Sequence, residues 1–177
     1  MIASDLHGSA YYTKLMIDAF TRENADKLLL LGDLLYHGPR NDLPKEYKPK
    51  AVIEMLNPLA NKLLCIRGNC DADVDQMVLN FPILADYAVI SHENISIYAT
   101  HGHKLNHTTP PPMQPNDVLL CGHTHIPAFE QLESCLYINP GSVSIPKENS
   151  PHSYMTLENE MFTWKSLDGT AYRTHQL

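Results

Sequence analysis

The first half of the chain alternates short apolar runs with amphipathic stretches. Apolar residues dominate 2–4, 27–31 and 63–66, and each of these runs predicts a short strand. Between them, apolar side chains recur at helical spacing over 12–20 and 52–60, which predicts two helices. Strands separated by single helices pair in parallel through right-handed crossovers. We therefore expect a mainly parallel sheet in this half.

The second half is richer in strands. The runs 87–91 and 95–100 flank His92-Glu93-Asn94 and predict a hairpin. Further short strands are predicted around 118–121, 136–138, 154–157 and 162–166. These strands favour antiparallel pairing, and the Pro-rich stretch 109–115 predicts a surface loop.

Both halves have apolar faces that need a partner. A second sheet packed on the first, with helices outside, buries both sets of faces, so an α/β class is expected. The chain has 177 residues, 44% of them apolar, which suffices for one substantial core. We find no compositional boundary or repeat, and we predict a single domain over 1–177.

Charge and the lack of apolar segments narrow the function classes. With 20 acidic and 13 basic residues the formal net charge is -7, which repels polyanions and argues against a nucleic-acid polymer as partner. A membrane-spanning helix needs about 20 apolar residues in succession, and the sequence has no such run. Met1 leads directly into the first predicted strand without the pattern of a targeting segment. These features predict a cytoplasmic protein without a membrane partner.

The cysteines predict reduced thiols. The four are Cys65, Cys70, Cys121 and Cys135. They show no CxxC spacing, and three lie in apolar runs where a thiol serves as a small hydrophobic side chain. We expect no disulfide.

Metal-competent side chains stand beside glycine where apolar runs end. Five segments share this pattern: Asp5-Leu6-His7-Gly8, Gly32-Asp33, Gly68-Asn69, His101-Gly102-His103 and Gly122-His123-Thr124-His125. In open α/β sheets, ligands bind in the crevice beyond the carboxyl ends of the strands, and glycine there permits tight turns and close backbone approach. We therefore expect the five segments to converge on one site.

The side chains in these segments suit metal binding. Asp, Asn and His without Cys favour cations such as Mn²⁺, Fe²⁺ or Zn²⁺ over a Cys-ligated structural zinc. If the segments are extended, alternate residues point the same way, so Asp5 with His7, and His123 with His125, each aim two ligands from one strand end. A carboxylate from Asp33 would bridge two ions. Such a pair, about 3.5–4 Å apart, generates hydroxide at neutral pH and clamps the oxygens of a phosphoryl group.

These segments resemble those of the calcineurin-like metallophosphoesterases, and within that family the small bacterial YfcE-type phosphodiesterases. The matching pieces are, in order, ASDLHGS, LLLGDLLYHGPRN, IRGNCDADVDQM, THGH, CGHTHIP and NPGSVSIP. The resemblance covers nearly the whole chain. It implies a four-layer α/β/β/α sandwich of two mixed sheets and two divalent cations. Mn²⁺ is the first expectation, with Zn²⁺, Fe²⁺ or Ni²⁺ as alternatives.

The resemblance also implies roles for individual residues. One ion would contact Asp5, His7, Asp33 and His125, and the other would contact Asp33, Asn69, His101 and His123. Asp33 and Asn69 would act in catalysis, Asp33 as the bridge and Asn69 near a phosphate oxygen. Substrate contacts are implied for His37, Arg40, Cys70 and His103.

Two of the substrate contacts have alternative interpretations. Many family members carry a His at the position of Cys70, where it orients phosphate or protonates the leaving group, so a proton donor is not assigned here. A thiol beside cations has a lowered pKa, or else Cys70 fills space. The residues alone favour phosphate binding by Arg40 and a surface ion pair equally; the resemblance favours phosphate binding.

Other polar residues are expected to be structural. Asp71, Asp73 and Asp75 predict a solvated helix start. Pro140-Gly141-Ser142 predicts a turn that supports the site, because no triad context accompanies the serine. Four histidines outside the motifs are expected to be solvated: His92, His107, His152 and His175.

The leading hypothesis is hydrolysis of a small phosphodiester by a hydroxide that bridges two divalent cations. A phosphomonoesterase on the same metal core is the nearest alternative. A catalytically silent interaction scaffold of the same fold is a second alternative, against which His7, His101, His123 and His125 argue. A passive metal-binding module is a third. A homo-oligomeric state stays open.

Overall fold

A computed structural model describes residues 1–92 and 95–177 as strands and helices joined by ordered loops. In chain order the strands are β1 (Ile2–Ala3), β2 (Leu28–Leu30), β3 (Leu63–Cys65), β4 (Tyr87–His92), β5 (Ile95–Thr100), β6 (Val118–Leu120), β7 (Pro127–Gln131), β8 (Leu136–Pro140), β9 (Ser153–Glu158), β10 (Met161–Ser166) and β11 (Ala171–Gln176). The helices are α1 (Ala10–Arg22), α2 (Pro49–Leu56) and α3 (Asp73–Gln76), and a 3₁₀ helix spans Asn57–Lys62.

The strands form two mixed sheets, as the resemblance implies. The first has the order β11-β10-β9-β1-β2-β3 and the second the order β4-β5-β6-β8-β7. In the first sheet, β1 pairs in parallel with β2, with Ile2 opposite Leu29, and β2 pairs in parallel with β3. Strands β9, β10 and β11 add antiparallel pairs. The predicted parallel pairing of β1, β2 and β3 is confirmed, but these strands form one side of a mixed sheet, with β3 at its edge.

The second sheet corrects the expectation of antiparallel pairing. The β4–β5 hairpin is antiparallel, with Tyr87 opposite Thr100, while Glu93 and Asn94 of its predicted turn lie outside the described residues. However, β5 pairs in parallel with β6, and β6 with β8. The long connection 101–117 carries the chain back along β5, so that β6 runs in the same direction as β5. Parallel pairing needs such crossover connections. Strand β7 pairs antiparallel with β8 and forms the edge of the sheet.

Helices α1 and α2 pack on the first sheet through their apolar faces. The side chains of Met16 and Phe20 from α1, and of Val52 and Leu56 from α2, share one core cluster with strand residues such as Leu30. The Ser9 hydroxyl accepts a hydrogen bond from the N–H of Tyr12 at 3.2 Å and caps α1. These helices fix the loops that leave β1 and enter β3.

A second apolar cluster fills the space between the sheets. Trp164, Phe162 and Met155 from the first sheet meet Ile97 and Val118 from the second. On the outer face of the second sheet, apolar side chains pack against the loop residue Met113, and within the described residues α1 and α2 both lie on the first sheet. The loop thus stands in the fourth layer. No helix among the described residues is long and apolar enough to span a bilayer.

Candidate metal centre

Asp5 and Asp33 lie in loops that directly follow the neighbouring strands β1 and β2. The Asp5 N–H donates to the Gly32 carbonyl at 3.1 Å, and the His7 N–H donates to the Asp33 carbonyl at 2.8 Å. Parallel pairing therefore continues into the loops. It brings these two segments together at the carboxyl edge of the first sheet, where ligands bind in open α/β sheets.

Five of the seven candidate ligands reach the site through a left-handed backbone and not through an extended one. The backbone φ is positive at Asp5 (60°), His7 (46°), Asp33 (56°), His123 (67°) and His125 (63°). This left-handed region is uncommon for residues with a side chain, although Asp and His enter it more often than most. The expectation of extended segments is therefore wrong, although Asp5 and His7 do point to the same place, as predicted. Left-handed turns direct these side chains inward, and such strain is typical of functional sites.

Two glycines allow the loops to approach closely. A Cβ atom on Gly68 would overlap the Asp33 carboxylate, and one on Gly122 would overlap the Ser4 hydroxyl and lie 3.0 Å from Asp5 Oδ2. A side chain at either position would push a candidate ligand out of place.

The first group of ligand atoms contains two histidines and one carboxylate. Nδ1 of His7 donates to the Tyr36 carbonyl at 2.8 Å, and Nδ1 of His125 donates to the Ile145 carbonyl at 2.7 Å. In a neutral ring Nε2 then carries a lone pair. These Nε2 atoms lie 3.2 Å apart, and Asp5 Oδ1 is 3.2 Å from that of His125 and 3.6 Å from that of His7. Three electron donors that meet in this way require a positive charge between them.

The same arrangement recurs on the other side of Asp33. Nδ1 of His101 donates to the Leu31 carbonyl at 2.6 Å, so Nε2 presents its lone pair to Asn69 Oδ1 at 3.1 Å and Asp33 Oδ2 at 3.5 Å. Asp33 Oδ2 also lies 3.6 Å from Nε2 of His7. Asp33 therefore stands between the two groups.

His123 borders both groups. Its N–H donates to Asp5 Oδ2 at 3.2 Å, and its ring centroid lies 5.0 Å from that of His101. Within the described part of the chain its buried Nδ1 has no hydrogen-bond partner. Burial and the neighbouring His101 lower the pKa of His123. A neutral ring of this kind can act as a metal ligand.

Asp5 and His7 of the first group shift each other's pKa. Burial alone would raise the pKa of Asp5, but His125 and His7 hold it well below its usual range. Burial would likewise lower the pKa of His7, but Asp5 and Asp33 raise it. The buried carboxylates therefore favour a cation at this position.

Asp71 is a supporting residue that the sequence analysis placed wrongly. Its carboxylate is 4% exposed and accepts hydrogen bonds from the backbone N–H groups of Asp33 at 2.8 Å, Leu34 at 2.9 Å and Gly68 at 2.7 Å. Burial raises its pKa, while these three donors oppose the rise. The acidic spacing suggested a solvated helix start, which holds for the exposed Asp73 but not for Asp71.

The turn after β8 supports the site, as expected. The hydroxyls of Ser142 and Ser144 donate to the Asp5 carbonyl at 3.0 and 2.9 Å. Asn139, which the sequence analysis missed, donates from Nδ2 to the Gly122 carbonyl at 2.7 Å. The backbone carbonyl of Asn139 accepts a hydrogen bond from the indole N–H of the core residue Trp164 at 2.8 Å. The core thereby positions the loop that carries His123 and His125.

A cavity of about 430 Å³ opens over the candidate ligands, which we call the main cavity. Arg40 and Cys70 line it among the expected substrate contacts, and so does Lys147, which the sequence analysis missed. His37 instead lies edge-on to the rings of Tyr36 and Tyr47, with centroids at 4.8 and 5.2 Å. His103 lines a separate cavity of about 200 Å³ beyond His123. Burial, followed by His101 and His123, lowers the pKa of His103 to about 4.

The environment of Cys70 does not favour a thiolate. Its N–H donates to Asp33 Oδ1 at 2.8 Å, and its Sγ accepts from Nδ2 of Asn69 at 3.2 Å. Burial and then the Asp33 charge raise the pKa of the Cys70 thiol to about 12. The protein groups therefore raise the pKa of Cys70, whereas cations beside it would lower it.

The histidines outside the motifs have different environments. His107 is exposed, as expected. His152 is not simply solvated, because its ring stacks on Tyr12 at 3.9 Å and its Nδ1 donates to the Val143 carbonyl at 2.8 Å. His175 is half-buried beside Phe129, and the side chain of His92 lies outside the described part.

Comparisons with known proteins agree with the geometry. Residues 1–161 match the model of the calcineurin-like phosphoesterase superfamily domain. The chain is 46% identical over 163 residues to phosphodiesterase YfcE of Escherichia coli K12. The aligned segment covers 92% of this chain and 89% of that protein.

Solved structures give the same result. A structure of YfcE, described as a phosphoesterase from E. coli, superposes with a TM-score of 0.95 at 44% identity, covering 99% of this chain and 97% of that one. Wild-type Vps29 from Entamoeba histolytica in complex with Zn²⁺ has a TM-score of 0.62 at 21% identity, covering 99% of this chain and 96% of that one, and shares the fold alone. The resemblance seen in the motifs is thus confirmed, and the chain belongs to the calcineurin-like phosphoesterase superfamily.

Proposed function

We propose that this chain is a metal-dependent phosphodiesterase with two divalent cations in its active site. The proposed ligands of the first ion are Asp5, His7, Asp33 and His125. Those of the second are Asp33, Asn69, His101 and His123. The family supports divalent metal binding in general, and the local geometry supports this assignment of ligands.

One observation carries the proposal. Lone pairs converge twice at the same sheet edge, once between His7 and His125 beside Asp5, and once between His101 and Asn69 beside Asp33. A proton on one ring would relieve one such contact. Two groups of donors that share the Asp33 carboxylate are better satisfied by two divalent cations, since His and carboxylate ligands suit ions such as Mn²⁺ and Zn²⁺.

Each residue around the main cavity would have a separate role in the reaction. Two divalent cations, if bound by these residues, would supply a hydroxide nucleophile at neutral pH and neutralise charge on the phosphate. Asp33 would hold the spacing between the two groups, and Asn69 would orient a phosphate oxygen from the rim. Arg40 and Lys147 would add positive charge where the substrate enters. The carbonyls of Tyr36, Leu31 and Ile145 would fix the tautomers of the histidines.

The diester is favoured over the monoester because the relative at 46% identity is named a phosphodiesterase. The proposed metal core would serve a phosphomonoesterase equally well. A silent scaffold would have no need for the strained backbone at five candidate ligands. A passive metal-binding module would have no need for a cationic cavity over the ligands.

We also propose Mn²⁺ as the native metal, with Zn²⁺, Fe²⁺ or Ni²⁺ as alternatives, and a small phosphate ester as substrate. A single domain over 1–177 and a cytoplasmic location complete the proposal. Free thiols support that location, since all four cysteines lie in the described residues and are unpaired there. A homo-oligomer is compatible with each of these statements.

The test compares turnover of aryl phosphodiesters and aryl phosphomonoesters by the metal-loaded protein. We expect hydrolysis of the diesters, and a loss of about 10²-fold or more in kcat for Asp33→Asn, because an amide cannot neutralise two cations. His107→Ala should be nearly silent, as His107 is exposed outside the main cavity. Equal activity of the two variants would refute the bridging role. Turnover of monoesters alone would replace the diester assignment.

A further inference from the structure

A second depression lies beside the main cavity and differs from it in chemistry. It has a volume of about 430 Å³, and its walls include Tyr36, Tyr47, Ile53, Cys70, Val74 and Val78. We call it the apolar groove. Asp75 is the one acidic residue among its described lining residues, and none of them is basic. The groove therefore suits an uncharged group and not a second phosphate.

Three lining residues of the apolar groove also contact residues of the candidate metal centre or the loop beside it. Cys70 lines both the groove and the main cavity, and its N–H donates to Asp33. The Tyr36 carbonyl accepts the hydrogen bond from Nδ1 of His7. The ring of Tyr47 lies so close to Gly8 that a Cβ there would be 2.6 Å from Tyr47 Cε2. The apolar groove and the main cavity thus have Cys70 as a common wall.

The groove exposes apolar surface that folding has not buried. Val74 is 63% exposed, and Val78 and Tyr36 are also exposed. Removal of such apolar area from water favours binding of an apolar group. A ring placed between Tyr36 and Val74 would cover this surface, and aromatic faces favour such contacts.

We propose that the apolar groove binds one uncharged apolar or aromatic group of the phosphodiester, while the phosphate lies in the main cavity near Arg40 and Lys147. This inference rests on the proposed function and specifies its substrate class. The substrate is then a diester with one hydrophobic organic arm. The Cys70 wall that the groove shares with the main cavity favours this occupant over a second copy of the chain.

The experiment measures binding, so that it stays separate from turnover. Calorimetry on the Mn²⁺-loaded protein compares phenylphosphonate with methylphosphonate, which share the anionic head and differ in the ring. We expect the phenyl compound to bind at least about tenfold more tightly, in line with the discrimination that hydrophobic pockets achieve. Val74→Asp should bring the ratio of the two affinities close to one.

Met77→Asp is the matched control, because Met77 is 82% exposed just beyond α3 but does not line the groove. It should keep the ratio of the wild-type protein. Val74→Thr, which keeps the shape of the side chain, should lower the ratio in the same direction and guards against misfolding of Val74→Asp.

Three results would overturn the inference: a ratio near one in the wild-type protein, equal ratios in all variants, or a dimer by light scattering that Val74→Asp dissociates and Met77→Asp does not. The last result would assign the groove to a second copy. If the protein prefers phenylphosphonate by about tenfold or more but hydrolyses no diester, the proposed function is refuted and the groove remains a binding site.

Discussion

Asp71 holds two loops of the candidate metal centre in register. One carboxylate oxygen accepts from both Asp33 and Gly68, and the other accepts from Leu34. Asp33 and Asn69 thereby keep their relative positions without any contact between Asp71 and the proposed ions. Supporting hydrogen bonds of this kind orient ligands and tune metal affinity.

We predict that Asp71→Asn weakens metal binding by about 10- to 100-fold and lowers the free energy of unfolding by about 1–3 kcal/mol. An amide offers one acceptor where the carboxylate offers two, so a buried N–H group loses its partner. Metal titration and chemical denaturation measure the two effects. Asp73→Asn is the control, because Asp73 is 83% exposed and forms an ion pair with Arg67 at 3.6 Å. If both variants bound metal like the wild-type protein, Asp71 would have no positioning role.

Cys70 stands where the family resemblance leads us to expect a histidine, and its environment argues against proton donation. A catalytic acid works best when its pKa lies near the operating pH. Burial and Asp33 raise the pKa of Cys70 to about 12, far above that range. The leaving group would then depart without help from this side chain.

Loss of acid catalysis predicts a steep dependence of kcat/KM on the pKa of the leaving group, with aryl diesters much better than alkyl diesters. Cys70→Ser should change aryl-ester turnover little. The pH profile should show no step near the ordinary thiol pKa of about 8.5. A flat dependence in the wild-type protein that becomes steep in Cys70→Ser would show that the thiol supplies the proton.

At the scale of loops and strands, the candidate site depends on close packing between the loop after β6 and the loop after β1. Gly122 lacks the Cβ that would overlap Ser4 and reach Asp5 Oδ2. Its backbone lies outside the left-handed region, so alanine there adds a steric effect without backbone strain.

Gly122→Ala should therefore displace Asp5 and lower metal affinity at least about tenfold, with a smaller change in melting temperature. Gly169→Ala provides the comparison, because Gly169 has a φ of 97° and packs on Arg22. That variant should lose stability by about 1–3 kcal/mol and keep its metal affinity. Equal metal affinity in the two variants would contradict the packing argument.

Strands and helices could be predicted from the sequence where one face, or the whole element, is buried. Nine of the eleven described strands were found, and so were the helical segments around 12–20 and 52–60, because their apolar residues face a core. The second segment is α-helical up to Leu56 and continues as the 3₁₀ helix. The strands β7 and β11 were missed. One begins with Pro127, and the other is polar and mostly exposed at the edge of its sheet, so neither shows an apolar run.

At the scale of the whole molecule, the sequence predicted that five glycine-containing segments converge, because carboxyl ends of strands meet at one edge of a sheet. It could not predict how the side chains turn inward, since positive φ at Asp5 or His125 leaves no mark in the sequence. Nor could it predict the burial of Asp71, which depends on loops that are distant along the chain. The apolar groove also arises only when separate segments fold together.

The central claim is that two cations share the Asp33 carboxylate at this edge of the molecule. A crystal structure of the Mn²⁺-loaded protein, with anomalous data at the manganese edge, tests it most directly. We predict two peaks about 3.5–4 Å apart, one in contact with Nε2 of His7 and His125 and the other with Nε2 of His101, and with Asp33 touching both. A single peak at saturating Mn²⁺, or peaks away from these side chains, would contradict the claim.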